Sequence, residues 1–152
     1  MNRKFRILPI YWVSLVVILL VLGIVYAGKY LPDYFAKNKK ESAEVSFSQG
    51  KNLASQNNYQ EAEKYLQKAV NSEPDNASYI KELAIAKYNL KDYQAAINLY
   101  EELIKINNND AFALNGMANT YRDWALTQAE NRDQLQEKAI EFYKKAIEAN
   151  AQ

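Results

Sequence analysis

Few residues in this sequence could do chemistry, and their spacing narrows the choice further. Acidic pairs such as Glu101-Glu102 would be the raw material of acid–base work. Adjacent residues on a helix point apart, however, so such a pair frames no pocket. The chain has no His and no Cys, which removes imidazole acid–base chemistry, thiolate nucleophiles, disulfides and Cys/His zinc sites. Its 4 glycines form no phosphate-cradling loop. Asn76-Ala77-Ser78 fits the N-glycosylation pattern, but so short a pattern between repeating segments arises by chance. No catalytic residue, cofactor or metal is expected, and the chain is expected not to be an enzyme.

The elements that carry these residues fall into two physical types. Of 152 residues, residues 1–42 hold seven Lys/Arg against Asp33 and Glu41, whereas residues 43–152 hold twelve Lys/Arg against sixteen Asp/Glu. A basic leader thus precedes a mildly acidic body. Nucleic-acid binding would want the basic patch on the body, where it is missing, so no nucleic-acid partner is expected.

Residues 10–27, IYWVSLVVILLVLGIVYA, carry no charge. As a helix they would span about 27 Å, close to the hydrocarbon thickness of a bilayer. Ile7 and Leu8 lengthen the stretch, and Pro9 is tolerable in a first turn. Tyr11 and Trp12 at one end and Tyr26 and Tyr30 at the other suit interfacial anchors, with Arg3, Lys4 and Arg6 before them and Lys29, Lys37, Lys39 and Lys40 after. The expected organisation is a basic leader (1–9), a single uncleaved transmembrane helix (10–28), a polar juxtamembrane joint (29–42) and a body (43–152). Cleavage after Ala27 is the alternative, since Val25-Tyr26-Ala27 offers small residues where a signal peptidase reads. The charge of the two flanks is nearly balanced; the denser leading charges place the N-terminus inside and the body outside the cytoplasm.

The body repeats at a period of 34, in blocks 43–76, 77–110 and 111–152. Gly50, Ala84 and Ala118 are separated by that interval, as are Tyr59 and Tyr93, Ala62 and Ala96, Leu66 and Tyr100, and Ala69 and Leu103. Such a period means that each block is one supersecondary unit stacked on the next. Within a block the apolar residues fall twice at helical spacing: Leu83, Ala84, Ala86 and Leu90, then Ala96, Ile97, Leu99, Tyr100, Leu103 and Ile104. Asn57-Asn58 and Lys91-Asp92 make the turns between helices. Pro74, Asn76 and the asparagines at 107–109 stop the second helices. Small residues let the paired backbones approach, and Leu66, Tyr100 and Tyr143 fill the space beside them. In the third block Ala118 and Ala139 are 21 apart, against 12 for Ala84 and Ala96. The insertion, near 125–133, is expected to prolong the first helix past Trp124 and to start the second near Asp133, lengthening the pair.

These blocks resemble the tetratricopeptide repeat, a 34-residue helix–turn–helix. Gly50, Tyr59, Ala62, Leu66, Ala69 and Pro74 match it in the first block. Leu83, Ala84, Tyr93, Ala96, Tyr100 and Leu103 match it in the second, with Asn108 where Pro would stand. Leu114, Met117, Ala118, Tyr121, Ala139, Tyr143 and Ala146 match it in the third. The resemblance covers residues 43–152 and implies an all-α chain: a right-handed α-solenoid of three repeats behind one N-terminal transmembrane helix.

The resemblance also implies a role in protein–protein interaction and assembly, through the concave wall that the first helices line. Carried onto this chain, the groove positions are Phe47, Lys51, Ser55, Lys81, Ile85, Tyr88, Phe112, Asn115, Asn119 and Arg122. Asn115 and Asn119, four apart on one helical face, could grip a peptide backbone. Phe47 and Ile85 stand where chaperone-binding relatives need polar groups, which speaks against a clamp for a terminal carboxylate. The expected partner is a protein or peptide, and no small-molecule substrate is expected. The alternative is a structural subunit of an envelope assembly, a homo-oligomer associating through an exposed flank of the last helix around Ile140 and Tyr143.

Overall fold

The computed structural model describes residues 10–151, with side chains from residue 15. The basic leader and the Tyr11 and Trp12 side chains lie outside the described residues. Those that are described form six helices and no strand: α1 (Ile10–Ser55), α2 (Tyr59–Ser72), α3 (Ala77–Asn89), α4 (Tyr93–Ile106), α5 (Ala111–Ala125) and α6 (Arg132–Asn150). The chain divides into two compact units, Met1–Lys39 and Lys40–Gln152.

In the first unit, residues 10–39 are helical throughout and belong to α1. Among the described helices α1 is long and apolar enough to cross a membrane; its most apolar 18-residue window has a mean hydropathy of 2.1, with none of it buried. Leu19, Leu22, Ile24 and Val25 point outward with no apolar neighbour to cover them. Tyr26 and Tyr30, one turn apart, bring their rings to 4.5 Å. The stretch 29–42, expected as a polar joint, is also helical and carries Pro32 inside the helix. Pro32 has no N–H to give the carbonyl of Gly28, but the Lys, Ala and Glu residues around it favour helix.

The second unit is a stack of helix pairs: the end of α1 with α2, α3 with α4, and α5 with α6. Its period is visible in the chain reversals as well as in the core. Asn57 and Lys91, 34 residues apart, both adopt a left-handed φ of 61°. Around them the amides of Asn58 and Asp92 donate back to Leu53 and Lys87 at 3.0 Å, and those of Asn57 and Lys91 to Ala54 and Tyr88 at 2.9 Å. This is the Schellman closure of a helix end, made twice. Each turn then caps the next helix: the Asn58 side chain accepts from Glu61 N, and Asp92 from Ala95 N. Asn76 and Asp110, again 34 apart, cap α3 and α5 in the same manner. Each such cap stabilises its helix by about 1 kcal/mol.

Between the helices, Ala62, Leu66, Ala69, Ala84, Ala96 and Ala118 are fully buried. Gly50 shows why the contact position must be small: a Cβ there would stand 2.6 Å from Leu66 Cγ. In the third pair the second helix starts where expected, next to Asp133, but the first is hardly prolonged. The first helix extends only one residue beyond Trp124, to Ala125, and the second starts at Arg132. The insertion therefore becomes a loop over 126–131 and a longer α6 of 19 residues against 14 in α4. The Thr127 amide and hydroxyl both close on the Trp124 carbonyl, at 2.9 and 2.8 Å. Within 126–131 the one large apolar residue, Leu126, is exposed, so no buried face rewards further helix.

Candidate protein-binding groove

The first helices α3 and α5 lie side by side, with Tyr100 of α4 behind them. A cavity of about 190 Å³ opens between them, lined by Ile85, Tyr88, Asn89, Tyr100, Phe112, Asn115, Gly116 and Asn119. Five of the residues expected in the groove, Ile85, Tyr88, Phe112, Asn115 and Asn119, thus come together at one place. Lys81 stands beside it, its Nζ 3.9 Å from the Phe112 ring centroid, a cation held over an aromatic face.

Phe47, Lys51 and Arg122 are placed differently. The Phe47 ring packs against Tyr79 at 4.6 Å and carries Lys51 Nζ at 5.3 Å, a separate cluster outside the cavity lining. Ser55 turns its hydroxyl back to the Asn52 carbonyl at 2.7 Å. Arg122 belongs to a polar network. Its Nε donates to Asp123 Oδ1 at 2.8 Å and its guanidinium to the Tyr143 hydroxyl at 3.1 Å. Tyr88 donates to the other Asp123 oxygen. Tyr143 donates to Asn119 Oδ1 at 2.6 Å. Three helices, α3, α5 and α6, are tied together by these bonds.

The network sets what the groove offers. Because Asn119 Oδ1 is occupied by Tyr143, the amide nitrogen is the group left to donate. Burial works to raise the Asp123 carboxyl, but the hydrogen bonds from Arg122 and Tyr88 outweigh it and hold the group below its ordinary value. The same bond to Asp123, with burial, pushes the Tyr88 hydroxyl up, so Tyr88 is a neutral donor. At the back of the cavity, burial pushes Tyr100 up to about 12. Its ring lies directly on the α5 backbone, where a Cβ on Gly116 would stand 2.5 Å from it.

Asn89, Tyr100 and Gly116 were not anticipated as groove residues, nor Asp123 and Tyr143 as its support. Tyr100 and Tyr143 were visible in the sequence as large residues beside small ones, which marks them as packing residues without showing which surface they reach. Gly116 was legible as the one glycine inside the third block, at a place where no repeat requires one.

A stack of helix pairs whose first helices line an aromatic and amide groove is a protein-interaction solenoid in design. The chain belongs to the tetratricopeptide repeats: the family model described as Tetratricopeptide Repeats-Sensor matches residues 58–152. No curated protein matches the chain. Among solved structures it is similar to MamA, at 24% identity over 88% of this chain and 77% of that one, with a TM-score of 0.62. It is also similar to the first such domain of RPAP3 (Spaghetti), solved bound to an HSP90 peptide, at 20% identity over 74% of this chain and 96% of that one, with a TM-score of 0.52. At these identities the likeness is one of fold.

Proposed function

We propose that the protein is a membrane-anchored interaction module whose groove captures an extended internal segment of a partner protein. The carrying observation is the pairing of two amides with one cavity. Asn115 and Asn119 are separated by one helical turn, about 6 Å of rise, close to the roughly 6.7 Å between alternate carbonyls of an extended chain. The two amides then hold the backbone while an intervening apolar side chain enters the cavity between Tyr88, Tyr100 and Phe112. The RPAP3 domain, solved bound to an HSP90 peptide, supports peptide binding by this fold. Ile85 in the cavity lining favours an apolar anchor over a terminal carboxylate.

Selecting peptides from a random display library against the full chain tests this reading. The selected peptides should share a bulky apolar residue in an extended context. Tyr88→Ala and Asn119→Ala should each weaken them about tenfold, the loss of roughly 1.4 kcal/mol of contact, with helix content unchanged. Peptides that bind both variants as tightly as the parent would overturn the groove assignment.

The anchor reading rests on the exposed apolar face of residues 15–25. A single Cys at position 152 in the otherwise Cys-free chain, exposed to a membrane-impermeant maleimide on intact cells, should be labelled if the repeats lie outside. Protection until lysis would put them inside. Recovery of the chain in the soluble fraction would remove the anchor.

A second reading, a self-associating structural subunit, is favoured by Ile140 and Ile147, seven apart on α6 and 55% and 69% exposed. Tyr143, between them, is half-buried and engaged with Asn119. If this reading holds, Ile147→Lys should lower the native mass.

A further inference from the structure

The insertion in the third pair opens a second cavity away from the groove, between α4, α5, α6 and the 126–131 loop. Its volume is about 390 Å³, within the ~300–1,000 Å³ range of small-molecule sites. Such sites are mostly apolar with a few polar groups, and this one reverses the proportion. Half-buried Trp124 and the buried Ile97 and Leu135 supply its apolar lining, while four side-chain amides, Gln94, Gln128, Asn131 and Gln134, line it from exposed positions. Glu101 and Lys138 complete the lining, and neither forms an ion pair among the described residues.

Tyr121 adds a further polar group to the lining. It is only 7% exposed, yet its hydroxyl makes no hydrogen bond among the described residues and is not sealed from solvent. Its ring is already engaged by Phe142, stacked at 5.7 Å, and by Lys138 Nζ at 5.2 Å. The hydroxyl is therefore the group left to offer to the cavity. Burial, with Glu101 and Glu141 nearby, raises its pKa and keeps it a neutral phenol able both to donate and to accept.

The donor set selects the ligand by elimination. One glutamate and one lysine leave no net charge, so a phosphorylated ligand finds no second cation and a simple cation is opposed by Lys138. An apolar molecule would strip water from four amides without replacing its hydrogen bonds. A neutral molecule rich in hydroxyls meets each requirement, because every hydroxyl donates and accepts as the amides do, and its carbon framework can rest on Trp124 and Leu135. We propose that this cavity is a binding site for a saccharide.

Trp124 is the built-in reporter, since the chain's other tryptophan is Trp12. A Trp12→Phe full chain in phosphocholine micelles, which carry no sugar, is titrated with glucose, N-acetylglucosamine and cellobiose while Trp124 fluorescence is followed. At least one sugar should give a saturable change with Kd near the millimolar range. Tyr121→Phe should weaken it about fivefold through the loss of one hydrogen bond, and Glu101→Ala, which removes an acceptor, by a similar factor, with circular dichroism unchanged. Because the Tyr121 hydroxyl has no internal partner, its removal leaves folding and peptide capture at the groove intact. No saturable response to any of the three sugars, or equal affinity in the variants, would overturn the proposal. So would saturation by adenosine monophosphate or glycine betaine in their place.

Discussion

Tyr143 lies on α6, and its hydroxyl donates to Asn119 Oδ1 at 2.6 Å while accepting from Arg122 at 3.1 Å. Tyr143→Phe keeps the ring and removes both bonds, so the Asn119 amide is free to rotate and present its acceptor. Affinity for a selected peptide should fall about fivefold, the worth of one hydrogen bond. In an Asn119→Ala background the same change should have no further effect, a non-additivity that a general packing defect would not show. The network also fixes a pH profile. Asp123 titrates below its ordinary 3.8, so its contribution is present above that value and is lost as the pH falls through the lowered one. Tyr88 titrates above its ordinary 10.0, so its contribution is present below that value and is lost as the pH rises through the raised one. Peptide affinity should accordingly be flat between pH 5 and 9, as a titration by fluorescence anisotropy would check. None of this support was legible in the sequence: Asn119 and Tyr143 are 24 residues apart, and a period of 34 carries no information about contacts at other separations.

The helices were far more legible than their contacts. Period 34, the small residues at 50, 84 and 118, and the polar turns at 57–58 and 91–92 all describe local structure that recurs in the folded chain. The first helix of the third pair is less legible, because nine inserted residues rich in good helix formers suggest more helix there than the fold has a face to bury. One repeated feature carries a strain that the sequence does not advertise. Lys91 holds a left-handed φ of 61° at a helix end, where glycine is the usual residue. Relief of the Cβ clash, about 1–2 kcal/mol, outweighs glycine's greater freedom in the unfolded chain, up to about 1 kcal/mol. Lys91→Gly should therefore raise the stability of the repeat unit by roughly 0.5 kcal/mol and its Tm by about 2–3 °C, measured by thermal denaturation. A lower Tm would mean that the Lys91 side chain contributes contacts beyond those its backbone requires.

Across the whole molecule the three helix pairs are not equally secured. The first two reversals carry both a Schellman closure and a side-chain cap, whereas Asn131 at the start of α6 caps nothing with its side chain. Local opening, which begins where backbone groups are least tied, should therefore start at α6, and amide hydrogen exchange should be faster there than in α3 or α4. Since Tyr143 on that helix orients Asn119, opening α6 disarms the groove. Occupancy of one must favour closure of the other by the same factor, the ratio of peptide affinities in the closed and open states, about fivefold for the loss of the Tyr143 bond alone. A saturating peptide should slow exchange throughout α6, although α6 contributes no residue to the cavity that the peptide fills. A partner would in this way act as a clasp on the least-tied helix of the stack, and the chain could register capture as a change in its own lifetime against proteases.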